Sequence, residues 1–149
     1  MRFGVFYELQ LPKPWTQDAE HRLVQEALAQ IELADRIGID YAWSVEHHFL
    51  EEYSHCSAPE VFLAAAAERT ARIRLGTGVV SLPYHHPFNV AQRMVQLDHM
   101  TGGRAIFGSG PGALASDAHT LGIDPMVQRD RQDEAIGIIR RLFAGERVT

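Results

Sequence analysis

The sequence predicts a parallel α/β fold of the (β/α)8 barrel type, with about the first four βα units present: a half barrel, one domain over residues 1–149. Three observations predict it. Short runs rich in Val, Phe, Tyr and Ile alternate with longer runs of helical periodicity, strand then helix, four times over. The strand-like runs begin near residues 2, 41, 73 and 105, a spacing that suits right-handed βαβ crossovers. The conspicuous polar residues follow the strands, whereas turns after the helices, such as RIGID and ERTARIR, are chemically plain. An open doubly wound sheet fits the same order. A complete barrel needs about 250 residues, against 149 here, and the sequence ends at GERVT on the approach to another element.

The elements follow in order. RFGVFYE (Arg2 to Glu8) reads as a buried strand, and LQLPKPW as a proline-punctuated loop. From Asp18 to Ile37, Leu23, Ala27, Leu28, Ile31, Leu33, Ala34 and Ile37 recur at helical spacing, with Asp18 as N-cap and Gly38 as stop. YAWSV (Tyr41 to Val45) is the second strand. Ala58 to Thr70 is a helix with Pro59 in its first turn. Ile73 to Leu82 is the third strand, and His86 to Met100 a helix closed by Gly102 and Gly103. Ala105 to Gly110 is the fourth strand. A glycine-rich loop then leads to a helix from about Val127 to Phe143. The alanine-rich second helix suits close helix packing, against the sheet or in a dimer.

Composition limits the function classes. The chain is 46% hydrophobic and 22% charged, as soluble globular domains are. A net charge of -5 disfavours nucleic acid and anionic membrane as partners. The single cysteine, Cys56, excludes an internal disulfide and fits a reducing, cytoplasmic setting. No apolar run approaches the roughly 20 residues that span a bilayer, and no secretory leader is recognisable.

The chemistry gathers in the loops after the strands. EHHFLEEYSHC carries Glu46, His47, His48, His55 and Cys56, and SLPYHHP carries His85 and His86. No pair among them has the spacing of a known zinc motif, so no metal site is assigned. Adjacent histidines leaving a strand point to opposite faces, so one of each pair can enter a common pocket. An imidazole there suits acid–base work. Glu46 at the strand end is expected to be partly desolvated, with a raised pKa, or to form an ordinary ion pair. His48 is expected to turn away. Glu51, Glu52, His55 and Cys56 are expected at the loop surface or lining the substrate side. GSGPG (Gly108 to Gly112) lacks the dinucleotide G-x-G-x-x-G spacing. With Gly76 and Gly78 it predicts bare backbone against which a planar ring can lie. Arg129, opening the last helix, is an anion fork at a helix N-terminus, or the partner of a nearby aspartate.

Taken together, FGVFYE, WSVEHHF, RIRLGTGVVSLPYHHPFNVAQRMVQLDHMTGGR and FGSGPG resemble the N-terminal half of the bacterial luciferase-like, flavin-dependent monooxygenases. The resemblance covers essentially the whole chain. It implies a TIM barrel, commonly dimeric through the second and third helices. It implies reduced FMN as cofactor, or F420 in some branches, with O2 oxygenating a small aldehyde, ketone or similar substrate and a flavin reductase as partner. By the same resemblance His47 is the catalytic histidine and Glu46 a carboxylate near the flavin. Gly78 and Val79 form a bulge under the ring, often with a cis peptide, Gly110 lies beside the ring, and Arg129 binds the flavin phosphate. Pro111 stands where luciferases carry a further arginine beside that phosphate. A flavin-binding or assembly module without turnover, and a metal hydrolase built on His47 and His86, are the alternatives.

Overall fold

The computed structural model describes residues 1–148. The strands among them are β1 (Gly4–Tyr7), β2 (Tyr41–Ser44), β3 (Arg74–Thr77), β4 (Val80–Ser81), β5 (Ala105–Ile106) and β6 (Ser109–Gly110). The α-helices are α1 (Ala19–Ile37), α2 (Pro59–Ala67), α3 (Pro87–Thr101), α4 (Ala115–Thr120) and α5 (Gln128–Phe143). Strands β1, β2, β3 and β5 pair in that order, all parallel, and β4 pairs with β6 in a second parallel ladder. This is part of a (β/α)8 barrel wall, and the open-sheet alternative is not needed.

Register turns the alternation of side chains into two faces. Val5, Ala42, Leu75 and Ala105 lie in one row across the four strands. They meet Leu28, Ile31, Leu63, Ala66 and Ile139 from the helices in the core. The next row, Phe6, Trp43, Gly76 and Ile106, faces the other way, toward what would be the barrel interior. Phe6 is 57% exposed there. A Cβ at Gly76 would collide with the Trp43 indole, which lies over that position. Gly76 therefore makes room for the protein's own tryptophan, not for a planar ligand, and that expectation is corrected.

Two predicted strands are each broken in two. The third stops at Thr77 and resumes at Val80, with a cis peptide between Gly78 and Val79. The fourth stops at Ile106 and resumes at Ser109. Between the halves, Thr77 Oγ1 donates to the Gly108 carbonyl at 2.8 Å and accepts from the Gly108 N–H at 3.0 Å. A side chain thus replaces one rung of the backbone ladder, and the pairing slips by one residue across the break, from Gly76 opposite Ile106 to Val80 opposite Ser109.

The ends of the helices set the two ends of the barrel wall. Gly38 and Gly102 close α1 and α3 in the left-handed conformation, at φ 97° and 64°. Asp18 takes the N-cap position of α1, but its side chain makes no capping bond. His86 caps α3 instead, its Nδ1 accepting from the Phe88 N–H at 3.3 Å. Helix α2 ends at Ala67, short of the predicted Thr70. The Arg104 guanidinium takes the carbonyls of Ala67, Thr70 and Ile73 at 3.2, 3.1 and 3.0 Å, while its Nε donates to that of Thr101 at 2.7 Å. These carbonyls would be orphans of the helix ends and the turn before β3. Arg104 closes the wall at the end away from the polar loops.

Candidate active site

Glu46, two residues past β2, is a buried carboxylate, at 3% exposure. Its Oε2 accepts from the backbone N–H of Ser81, the second residue of β4, at 2.8 Å. Its Oε1 accepts from His48 Nε2 at 2.8 Å and His85 Nε2 at 2.7 Å. Burial pushes the carboxyl up, but the His85 bond and charge, the Ser81 N–H and the His48 bond together outweigh it and hold it below its ordinary value. The expected raised pKa is therefore corrected. The sequence reading included desolvation but not the three donors, two of which come from a loop 35 or more residues away.

An ionised Glu46 fixes the proton of both His48 and His85 on Nε2. His48 does turn away from His47, as expected, but it turns onto Glu46. Its ring also meets Tyr84 edge-on, with centroids 6.0 Å apart. Burial first, then the Asp117 charge, pushes the Tyr84 phenol up, while a bond from Gln128 opposes this. Gln128, the first residue of α5, donates to Tyr84 at 2.8 Å and to the Pro111 carbonyl at 3.0 Å. It ties the glycine-rich loop to the histidine cluster.

His47 stands apart from this knot. Its Nδ1 donates to Asp117 Oδ2 at 2.8 Å, and Asp117 Oδ1 accepts the His48 N–H at 3.2 Å. One carboxylate, 2% exposed, thereby sets both the ring and the backbone that carries it. Asp117 lies in the first turn of α4, where negative charge is favoured. Nothing in the sequence reading anticipated this helix. It is six residues long inside a glycine-rich loop, with no apolar stripe to announce it. The carboxylate–imidazole pair leaves Nε2 as the working nitrogen. That nitrogen faces Glu8 Oε2 at 3.8 Å. A pocket of about 300 Å³ opens beside His47, lined by Trp15, Phe49, Leu50, Ser54 and His55. A larger groove, between the start of α3 and α5, does not include His47.

The other expected residues separate. Gly78 and Val79 form the break before β4, and a Cβ at Gly110 would press Val79 Cγ2 at 2.9 Å. Those three positions are therefore one contact at the strand ends. Arg129 is exposed on the first turn of α5. Glu51 pairs with Lys13, and His55 reaches Glu20 at 2.6 Å. Cys56, expected near the loop surface, is 3% exposed with Sγ 3.2 Å from Ser44 Oγ. Its backbone carbonyl accepts the His47 N–H at 2.8 Å, which draws the residue inward. Burial raises its thiol pKa, so it is a structural residue. Among the described residues no group of three or more His, Cys, Asp or Glu has the arrangement of a metal site.

Fold and site define a partial (β/α)8 barrel whose polar machinery sits at the C-terminal ends of its strands. The family described as luciferase-like monooxygenase matches residues 1–149, and the chain belongs to that family. Limonene 1,2-monooxygenase from Rhodococcus erythropolis is 52% identical over 150 residues, covering 99% of this chain and 37% of the relative. The oxygenase component of the flavin-dependent trigonelline monooxygenase of Acinetobacter baylyi is 29% identical, over 98% of this chain and 40% of its own. The crystal structure of a monooxygenase from Streptomyces bottropensis aligns with a TM-score of 0.86 at 34% identity, over 95% of this chain and 43% of that one. The chain thus spans about two fifths of the length of these relatives.

Proposed function

We propose that this chain is the N-terminal half of a flavin-dependent monooxygenase barrel and carries its proton-handling group. The single observation behind this reading is His47, held by Asp117 through Nδ1 with Nε2 presented at the strand ends. That is the arrangement of an oriented general base or acid.

The residues present fit a flavin. Arg129 offers an exposed guanidinium beside the N–H groups of the α5 terminus, chemistry that suits the flavin phosphate. Gly78, Val79 and Gly110, together at the strand ends, are the proposed rim for the ring. Reduced FMN, when bound, supplies the electrons that let O2 deliver one oxygen atom to a substrate and release the other as water. His47 holds or moves a proton at Nε2. Asp117 fixes the ring that does so, and the ionised Glu46 keeps His48, His85 and the start of β4 in place around it. Trp15, Phe49 and Leu50 give the neighbouring pocket apolar wall area, which suits a small apolar substrate. The name of the Rhodococcus relative makes limonene the first substrate to try.

A separate reductase is the proposed source of reduced flavin, as the oxygenase-component name of the Acinetobacter relative implies for that protein. A homodimer through α2 and α3 is supported by exposed Val61 and Met100 lining a groove of about 480 Å³ between these helices, and by exposed Val95 on α3. No helix among the described residues is long and apolar enough to cross a membrane, and with the lone buried cysteine this suits a cytoplasmic enzyme. F420 is the alternative cofactor, and a non-catalytic binding module the alternative role.

The test is anaerobic titration of the full chain with reduced FMN, then O2 uptake with limonene and simple ketones. H47Q is expected to bind flavin normally and to lose about 10²–10⁴ in turnover, the usual worth of a positioned acid–base group. Binding without any His47-dependent product would establish the module. Failure to bind reduced FMN while F420 binds would establish the deazaflavin.

A further inference from the structure

The Glu8 carboxylate has a place in this site that the reading above leaves unused. Glu8 follows β1 directly, and its Oε2 is buried without a hydrogen-bond partner. That oxygen lies 3.8 Å from His47 Nε2, too far for a direct hydrogen bond and close enough for one small group to bridge. The side chains are 25% and 15% exposed, so the gap is largely shielded from bulk water. The backbone adds weight: Leu9, the next residue, adopts φ 52°, a left-handed conformation that leucine rarely takes. Leu9 is 5% exposed in the core, and its carbonyl accepts from the His55 N–H at 3.1 Å. The chain is turned sharply and anchored immediately after Glu8.

With Nδ1–H donated to Asp117, the tautomer so fixed offers a lone pair at Nε2, and Glu8 offers another at Oε2. Two acceptors 3.8 Å apart are both satisfied by one O–H-bearing group seated beside the line that joins them. We propose that Glu8 is a positioning residue of the site. Its Oε2 and His47 Nε2 form a two-point seat for one molecule with O–H donors, water in the resting protein and a hydroxyl-bearing reactant in turnover. Glu8 acts through that seat: it holds the donor against His47 and does not itself exchange protons with substrate. This rests on the assignment of His47 as the proton-handling group, and it adds what stands on the far side of that ring.

The experiment uses the full chain labelled with 15N-histidine, with H47Q assigning the His47 resonances, alongside steady-state turnover. E8Q keeps size and polarity but puts an amide that can donate where the carboxylate accepted. The expected result is a displaced His47 Nε2 resonance in E8Q with Nδ1 little changed. Turnover should fall roughly ten- to a hundredfold, the cost of a misplaced reacting group, with the flavin Kd and melting temperature retained. E8D, which keeps the charge but not the reach, should recover part of the loss. If E8Q leaves the Nε2 resonance and turnover unchanged, or if E8D is as impaired as E8Q, the seat does not exist. The resonance reports on the seat without turnover, so a displaced Nε2 signal in a protein that lacks oxygenase activity would overturn the proposed function and leave the seat standing.

Discussion

Replacing Glu46 with glutamine tests how the site is built. The carboxylate is 3% exposed and takes three hydrogen bonds, from Ser81 N–H, His48 and His85. Glutamine cannot satisfy all three donors as they stand. With its oxygen toward the histidines, its amide nitrogen meets the Ser81 N–H, donor against donor. With its oxygen toward Ser81, the amide meets two Nε2–H groups, and both rings must move their protons to Nδ1 to pair with it. Losing charge-assisted bonds and stranding a buried donor costs about 2–4 kcal/mol. In a chain of this size that lowers Tm by roughly 5–15 °C.

The sign of the pH dependence is also fixed. The Glu46 pKa is lowered in the folded protein from an ordinary 4.5. Its contribution is therefore fully present above that value and is lost as pH falls through the folded pKa. The assay is thermal unfolding of wild type and E46Q, followed by circular dichroism, at neutral pH and in steps down through the carboxylate range. The gap between the two proteins should be largest at neutral pH and should narrow on acidification. A neutral-pH gap under about 2 °C, or one that persists undiminished in acid, would refute the reasoning.

Three further predictions follow from particular contacts. G76A forces a methyl group against the Trp43 indole; it should destabilise by about 1–3 kcal/mol and change the tryptophan emission, both read from the same denaturation curve. R104K keeps the charge but loses the fork that reaches four carbonyls. A loss of about 2–4 kcal/mol is expected with His47-dependent chemistry, where measurable, unaltered. R129A should weaken FMN binding about tenfold, one phosphate contact's worth, while leaving riboflavin, which has no phosphate, unaffected; equal losses for both ligands would remove Arg129 from the phosphate site.

The sequence and the structure agree where periodicity is strong. Helices α1, α3 and α5 fall within a residue or two of expectation because each carries an apolar stripe with proline, glycine or both at its ends. The four strand positions were legible for the same reason. What escaped was held by side chains distant in sequence. Thr77 bonding Gly108 breaks two strands, and no local signal encodes a partner 31 residues on. Asp117 sits in a helix too short to show a period, 70 residues from the imidazole it orients. Glu46 was legible as a strand-end carboxylate, but its charge state depends on donors from His85 and Ser81. Gly76 shows the converse: a glycine that read as space for a ligand is space for Trp43, a choice only register could settle.

Because Glu46 receives His48, His85 and the Ser81 N–H of β4, chemistry and architecture share one atom group at that point. Elsewhere in the mouth the two are more separable: the Glu8 and His47 side chains bear on one imidazole, while Asp117 also holds the His48 N–H. For anyone redesigning the protein, that divides the mouth into two currencies of change. The His47 ring can be varied for reactivity, whereas a change at Glu46 must be accompanied by a new acceptor for the Ser81 N–H of β4.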